Sequence, residues 1–436
     1  MEKYLFLIAI IIVLIFSVYC IYTRSNQVRM KSILRLGVFA LFLVFTITSV
    51  IPWSFRYVAL SALLIVWALI GAITLVRKKE SKNKYKQIRI ILRGFGSILL
   101  IAFALLPAFA FPQYHMIATT ATTGDLEVAT VLYTYTDSKR VETYTNTGEP
   151  RKLNVQFWYP KNSKEDYPLL VFSHGGLGIR TSNESLYNEL ASHGYVVCSI
   201  DHTYHSLFTT DVDGNRISAD SGYMKECSKE DAKKDKQQSY EYYQKWMELR
   251  TGDINFVIDH ILSEAQNSKG DIAYQKIDIS KIGVMGHSLG GAAVLGIGRE
   301  RKDVGAVMAL EAPFLCDIQG VEADEFVFED EPYPIPLLSI YSDSSWGHLS
   351  EWAQYEENYA ILSDSDPNTH DVYLKGTGHF SLTDLALTSP LFTCIFNGQL
   401  PQMDTEVCLK RINQLTLDFF NCYLKGKGEF IAEREY

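Results

Sequence analysis

Three observations predict an α/β architecture, a doubly wound and mostly parallel sheet, behind an N-terminal bundle of about four apolar helices. Short apolar runs alternate with helical stretches between residues 152 and 424. One of them, Ile282–Met285, leads directly into Gly286-His287-Ser288-Leu289-Gly290 and then into the small-residue stretch Gly291–Gly296. Long apolar segments fill the first 111 residues. Strands alternating with helices imply a parallel sheet covered on both faces.

The apolar segments are Leu5–Ile21, Val38–Trp53, Tyr57–Val76 and Gly94–Phe111. Each is about long enough to cross a ~30 Å hydrocarbon layer at ~1.5 Å per residue. Almost no charge interrupts them and no polar face is visible, which argues against core helices of a soluble domain. A cleaved leader followed by three spans is the second reading, but no small-x-small cleavage site follows the first segment. Loop charge orients the bundle. The 77–91 loop carries Arg77, Lys78, Lys79, Lys82, Lys84, Lys86 and Arg89 against Glu80, and the 22–32 loop carries Arg24, Arg29 and Lys31. Both are expected on the cytoplasmic side, so the chain is a multi-pass cell-membrane protein with everything after Pro112 on the extracytoplasmic side.

Charge divides the chain at the same place. Residues 1–111 hold 14 basic and 2 acidic residues, or +12; the whole chain is −9, which leaves −21 for residues 112–436. An acidic external domain is a poor partner for nucleic acid. Residues 112–436 suffice for one large domain, and Thr119–Thr123 reads as the linker into it. The seven cysteines show no CxxC pair or Cys/His metal spacing, so no structural zinc is expected, and the serine chemistry read below needs no metal or organic cofactor. Disulfides are possible outside the cell without a readable pairing, and Cys198 reads as a buried free thiol.

Along the second half, Lys152–Tyr159 alternates as a strand and Pro168–Ser173 is a buried strand ending in a glycine turn. Thr181-Ser182-Asn183-Glu184 has the capping-box pattern and is expected to open a helix to His193. Val196–Ile200 is the next strand. Residues 203–250 are polar and irregular, then helical, with Tyr204, Phe208, Tyr223, Tyr240, Tyr242, Tyr243 and Trp246 as material for a lid or for simple packing. Ile254–Ala265 is a helix, Lys281–Met285 the strand before the glycine-flanked serine, and Val304–Leu310, Pro336–Tyr341 and Asp371–Leu374 further strands. Thr405–Leu424 is a closing helix.

Strand, tight turn and helix with a serine at the apex is the context of the nucleophile elbow of an α/β-hydrolase fold. A turn so sharp needs glycine on both flanks, here Gly286 and Gly290. Parallel sheets present functional groups at the carboxyl ends of their strands. Ser288, Glu311 and His379 lie at three such ends, in the order serine, acid, histidine that this fold uses. A serine hydroxyl needs an imidazole to take its proton and a carboxylate to hold that imidazole in the right tautomer. Asp343, after the next strand, is the alternative acid; His348 and His370 compete weakly with His379. Two backbone N–H groups are expected to hold the developing oxyanion, from Leu289 and from Gly176 in the turn Ser173-His174-Gly175-Gly176-Leu177-Gly178.

These residues resemble the platelet-activating factor acetylhydrolases of the plasma and type II kind, over roughly residues 125–425. The resemblance is carried by Leu170-Val171-Phe172-Ser173-His174-Gly175, Arg180-Thr181, Leu190-Ala191-Ser192-His193-Gly194-Tyr195, Asp201-His202, Leu153–Pro160, and Arg250 with Asp253 and Asp259. It implies calcium-independent hydrolysis of short or oxidised acyl esters through an acyl-enzyme, with a phospholipid-like substrate. It also implies that the acid follows the strand after the nucleophile helix, which favours Glu311 over Asp343. The chain departs from the family in having glutamate for aspartate there, an extra glycine in the oxyanion turn, and four spans in place of a secreted or lipid-anchored form. A peptidase or amidase on the same triad, and a membrane sensor with a retired hydrolase domain, are the competing classes; the sequence leaves oligomeric state open.

Overall fold

The computed structural model describes residues 2–77, 85–112, 122–162, 165–267, 271–362 and 366–436. Residues Lys78–Lys84 and Thr119–Ala121, on which the loop-charge and linker expectations partly rest, lie outside the described residues. The chain divides into two compact units, one of Met1–Tyr114 with Thr388–Phe392 and one of the remainder.

The first unit contains α1 (Glu2–Tyr22), α2 (Val28–Ile47), α3 (Val58–Val76) and α4 (Gln87–Ala110). All four are long and apolar enough to cross a membrane. α1 packs on α4 and α2 on α3. A core of Phe42, Tyr57, Leu60, Leu64, Ile101 and Leu105 lies between them. Three helices begin earlier than the apolar runs: α1 takes in Glu2 and Lys3, α2 takes in Arg29, Lys31 and Arg35, and α4 takes in Arg89 and Arg93. Long basic side chains can lie along apolar surface while their heads reach polar surroundings, so charge near a helix end does not stop the helix.

The second unit is built on an eight-stranded sheet. In chain order its elements are β1 (Val128–Val141), β2 (Pro150–Pro160), β3 (Tyr167–Ser173), α5 (Glu184–Ser192), β4 (Val196–Asp201), β5 (Phe208–Thr210), β6 (Arg216–Ser218), α6 (Ser221–Lys229), α7 (Lys236–Gln266), β7 (Ile277–His287), α8 (Leu289–Glu300) and β8 (Val304–Leu310). Then come β9 (Ile318–Glu322), β10 (Glu325–Phe328), β11 (Leu337–Ser342), α9 (Glu356–Ile361), β12 (Thr369–Leu374), α10 (Leu385–Thr388), α11 (Pro390–Asn397) and α12 (Thr405–Tyr423), the stretch Thr388–Phe392 of α10 and α11 being counted with the first unit. The sheet order is β1-β2-β4-β3-β7-β8-β11-β12; β5-β6 and β9-β10 are separate hairpins. Within the eight-stranded sheet the antiparallel pairings join β1 to β2 and β2 to β4, and the other pairings of that sheet are parallel. The central strands read as unbroken apolar runs because both of their faces are covered, and Leu169–Phe172 are fully buried.

β1 escaped the sequence reading because its side chains are mostly half-buried, giving a blurred alternation at the sheet edge. The 203–250 stretch resolves into β5, β6, α6 and the first half of α7, which runs unbroken through the separately expected Ile254–Ala265. Tyr223, Tyr243 and Trp246 from this stretch are buried in the domain core.

The expected capping box needs correction. α5 starts at Glu184 behind Asn183, with no side-chain cap from the local sequence. The Asp384 carboxylate, 199 residues away in sequence, accepts from the Ser185 N–H at 2.7 Å and the Ser185 hydroxyl at 2.5 Å. An oxygen of a distant carboxyl group thus accepts the backbone N–H bond that a local cap would take at the start of the helix. Burial pushes the Asp384 carboxyl up to about 7, against ~3.9 in an unfolded chain. Stability from this raised value is complete below ~3.9 and is lost as pH rises to about 7. The melting temperature of Asp384→Asn relative to the unaltered protein is therefore expected to climb as pH rises through that window. A difference that stays constant from pH 4 to 7 would contradict it.

Candidate active site

Strand register brings the site together. Ser173 at the end of β3 pairs with Gly286 on β7, and His287 pairs with Leu310 on β8. The residues that follow these strands are therefore neighbours along one edge of the sheet: the 174–178 turn, Ser288 and Glu311. Ser288 sits at φ 53°, ψ −125°, a backbone conformation that residues with a Cβ rarely adopt. Its N–H donates to the Leu310 carbonyl at 2.8 Å. A Cβ on Gly290 would lie 2.1 Å from the Ser173 carbonyl oxygen, and one on Gly286 would lie 2.5 Å from the Gly290 oxygen. Both flanking glycines are thus required by contact. Strain held at one residue by so much surrounding structure is a feature of functional turns.

Glu311 also has a positive φ, 48°, and is buried. Its Oε2 accepts from the Ser342 hydroxyl at 2.6 Å and lies 3.5 Å from His379 Nδ1. Burial pushes this carboxyl up, but the His379 imidazole and the Ser342 hydroxyl outweigh burial and hold it below the usual glutamate range. Asp343 is engaged elsewhere: its Oδ1 accepts from the Tyr373 hydroxyl at 2.7 Å and from the Gly376 N–H at 2.9 Å. That fixes the turn leading to His379. The His379 N–H donates to Ser344 Oγ at 3.0 Å, and the His379 ring lies 4.5 Å from that of His287, next to Ser288. His348 faces Glu351 and Trp352, and His370 faces Tyr423 and Phe430, so both are occupied away from Ser288.

The glycine turn abuts the elbow. A Cβ on Gly175 would sit 3.2 Å from Ser288 Cβ. A Cβ on Gly176 would have a single neighbour, the Tyr223 hydroxyl, at 3.5 Å. Among the described residues the Gly176 N–H donates to none. Leu289 is the first residue of α8, where the backbone N–H has no partner within the helix.

Behind this turn lies a buried polar network to which sequence reasoning gave no role. Ser173 Oγ is 2.9 Å from His202 Nε2, and His202 Nδ1 is 2.9 Å from Asp253 Oδ2. Asp253 also accepts from Arg151, at 2.6 Å to each of its oxygens. Burial pushes the His202 imidazole down, as does the nearby Arg250 charge, to about 4. Burial alone would raise the Asp253 carboxyl, but Arg151 and His202 hold it well below the usual range. The fully buried Arg250 donates to the carbonyl oxygens of His174 and Gly175, at 2.5 and 3.3 Å. Carbonyl and N–H point in opposite directions across a trans peptide. With the Gly175 carbonyl turned onto Arg250, the Gly176 N–H is turned away from it. The signal for these residues was present, since Asp201-His202 and Arg250 with Asp253 carry part of the family resemblance.

A profile of the family described as Platelet-activating factor acetylhydrolase, isoform II, matches residues 127–433. The chain belongs to that family. It is 27% identical to the platelet-activating factor acetylhydrolase of Gallus gallus over 311 residues, 64% of this chain and 67% of the relative. It is 25% identical to that of Canis lupus familiaris over 283 residues, 62% and 60% of the two chains. A shorter match, 26% over 153 residues, relates 35% of this chain to 37% of the cutinase est1 of Thermobifida alba. The chain thus spans roughly 60 to 67% of the length of the acetylhydrolases it matches. In structure it is similar to a ferulic acid esterase from Streptomyces cinnamoneus, with a TM-score of 0.52 at 20% identity over 71% of this chain and 94% of the esterase. That likeness shows the α/β-hydrolase fold. The family match begins at residue 127, so α1–α4 lie outside it.

Proposed function

We propose that this chain is a membrane-anchored serine ester hydrolase. Ser288 is the nucleophile, His379 the base and then the acid, Glu311 the group that orients the imidazole, and Leu289 and Gly176 the oxyanion donors. The observation that carries this reading is the Glu311 carboxylate on the Nδ1 side of His379, at the same sheet edge as the strained Ser288. Nδ1–H directed at a carboxylate leaves Nε2 as the proton acceptor. Ser288 Oγ then attacks the ester carbonyl carbon as its proton passes to Nε2. The tetrahedral oxyanion is held by backbone N–H groups. The C–O bond to the alcohol breaks, and the alcohol leaves with the proton from Nε2. Water, deprotonated by the same nitrogen, attacks the acyl-enzyme, and the acid leaves as Ser288 recovers its proton.

The substrate class supported by the family is a carboxylic ester of phospholipid type with a short or oxidised acyl group. The four apolar helices support the membrane anchor, and their flanking cations support a catalytic unit on the extracytoplasmic side. Activity on p-nitrophenyl esters with none on aminoacyl anilides is the expected result; the reverse would make the chain a peptidase or amidase. Protease protection in sealed vesicles reads the side, and a catalytic unit protected on the cytoplasmic face would overturn the orientation.

Arg250 is proposed as a positioning residue. Its charge aligns the peptide that carries the Gly176 N–H and makes that N–H a stronger donor. Removing an oxyanion donor costs roughly 10²–10³ in kcat. Arg250→Met is expected to lower kcat by about 10²-fold with KM nearly unchanged, and Arg250→Lys to restore part of it. A rise in KM at constant kcat would leave Arg250 with a packing role only.

A further inference from the structure

The helical unit contains a cavity of about 520 Å³, bounded by residues of α1–α4 and the turns that join them. Its walls are apolar along most of their length, with Leu5, Val13, Phe42 and Leu105 among the lining residues. At one end they become cationic: Lys31, Arg35 and Arg93 line the same cavity. Lys31 and Arg35 lie one turn apart on the first half of α2, and Arg93 lies in the second turn of α4.

Three cations line one cavity, Lys31 and Arg35 half-buried and Arg93 exposed, and the helical unit has few anions to offer them. Residues 1–111 contain only two acidic residues, Glu2 and Glu80. Glu2 is committed to Arg56 at 3.2 Å, where α1 begins and just before α3. Among the described residues no carboxylate pairs with Lys31, Arg35 or Arg93; Arg35 has only the face of Trp67, at 5.7 Å. The hydroxyls of the lining are already satisfied. Ser17, Ser32, Thr74 and Ser97 each donate to a carbonyl four residues earlier in their own helix, at 2.7 to 2.9 Å. Apart from the Asn26 amide, the Trp67 indole N–H and the Cys20 thiol, the polar capacity facing the cavity is cationic.

We infer that this cavity binds an anionic phospholipid, its phosphate among Lys31, Arg35 and Arg93 and an acyl chain along the apolar walls. This rests on the reading of α1–α4 as membrane spans but not on the role of Ser288. The volume falls within the ~300–1,000 Å³ of sites that enclose small ligands. A phosphate offers several oxygens, which suits two guanidinium forks and an ammonium at once. The N-terminal ends of α2 and α4, both at this end of the cavity, add the favourable sign of the helix dipole. Basic pockets between membrane helices on the cytoplasmic side are suited to anionic head groups, and loop charge puts this end there.

The test uses the full chain purified in detergent. Native mass spectrometry would follow adducts after addition of equal amounts of phosphatidylglycerol, phosphatidylcholine and oleic acid. Phosphatidylglycerol is expected to be retained at least ~10-fold over phosphatidylcholine, and this preference to vanish in Lys31→Gln/Arg35→Gln/Arg93→Gln. Arg35→Lys/Arg93→Lys, which keeps the charge, is expected to keep the preference. Far-ultraviolet circular dichroism and monodisperse elution of each variant in detergent report whether the chain has folded, independently of the lipid result. Equal retention of the two phospholipids, or an unchanged preference in the neutral variant, would overturn the proposal. Preferential retention of oleic acid would overturn the assignment to a phospholipid. Release of the chain from membranes by alkaline carbonate would instead remove the membrane reading beneath it.

Discussion

Ser288→Ala is expected to abolish labelling by a fluorophosphonate probe and to lower ester hydrolysis by on the order of 10⁴- to 10⁶-fold. The size follows from what remains. An alanine has no oxygen to attack a carbonyl carbon, and water admitted in its place must react without a covalent intermediate. The backbone donors and the binding surface still act, so activity falls to a residual level above that of water. The substitution is also structurally mild. Ser288 is held at φ 53° by the Gly286 and Gly290 contacts and by its N–H bond to Leu310, none of which involves the hydroxyl. Alanine has the same Cβ, so the elbow and the melting temperature should be preserved. Residual hydrolysis within ten-fold of the unaltered enzyme, with labelling intact, would remove Ser288 from the reaction and pass the role of nucleophile to another residue.

What the sequence disclosed and what it concealed have separate physical origins. The elbow was legible because its requirements are local: a buried strand, two glycines and the start of a helix lie within about twenty consecutive residues. The central strands were legible because burial on both faces leaves an uninterrupted apolar run, as in Leu169–Phe172. β1, at the sheet edge, has no such run. The cap of α5 was concealed because its acceptor is Asp384, and no local pattern announces a carboxylate that arrives from 199 residues away. The family resemblance marked His202, Arg250 and Asp253, but the role of Arg250 and of the Ser173–His202–Asp253 chain was concealed for the same reason. Each residue is ordinary in its own segment, and only the packing of α7 beneath the glycine turn makes them neighbours. The cationic end of the helical cavity was half legible. Lys31 was read as a loop charge, and Arg35 and Arg93 fall between the loops and the apolar runs, but α2 and α4 begin early enough to carry all three into the bundle lining.

The choice between two carboxylates gives the second large expected effect. Glu311→Gln is expected to lower kcat by roughly 10⁴-fold, the cost of losing the carboxylate that fixes the imidazole tautomer in a triad of this type. Asp343→Asn is expected to cost no more than about ten-fold. The asymmetry follows from their partners. Glu311 Oε2 faces His379 Nδ1 at 3.5 Å, from a buried site where an amide can neither attract the imidazolium nor accept from both His379 and Ser342 equally well. Asp343 touches Tyr373 and the Gly376 N–H through one oxygen. An asparagine oxygen can accept both of these bonds, so the turn that carries His379 would be loosened rather than lost. Glutamate is one methylene longer than the aspartate used by the acetylhydrolases, and the positive φ of Glu311, 48°, changes where that longer side chain leaves the backbone. Glu311→Asp is accordingly expected to recover only part of the activity, because the shorter carboxylate leaves a longer gap to Nδ1. Steady-state kcat for the three variants, with far-ultraviolet circular dichroism to show that each is folded, decides the matter. A 10⁴-fold loss in Asp343→Asn beside a mild one in Glu311→Gln would exchange the two roles.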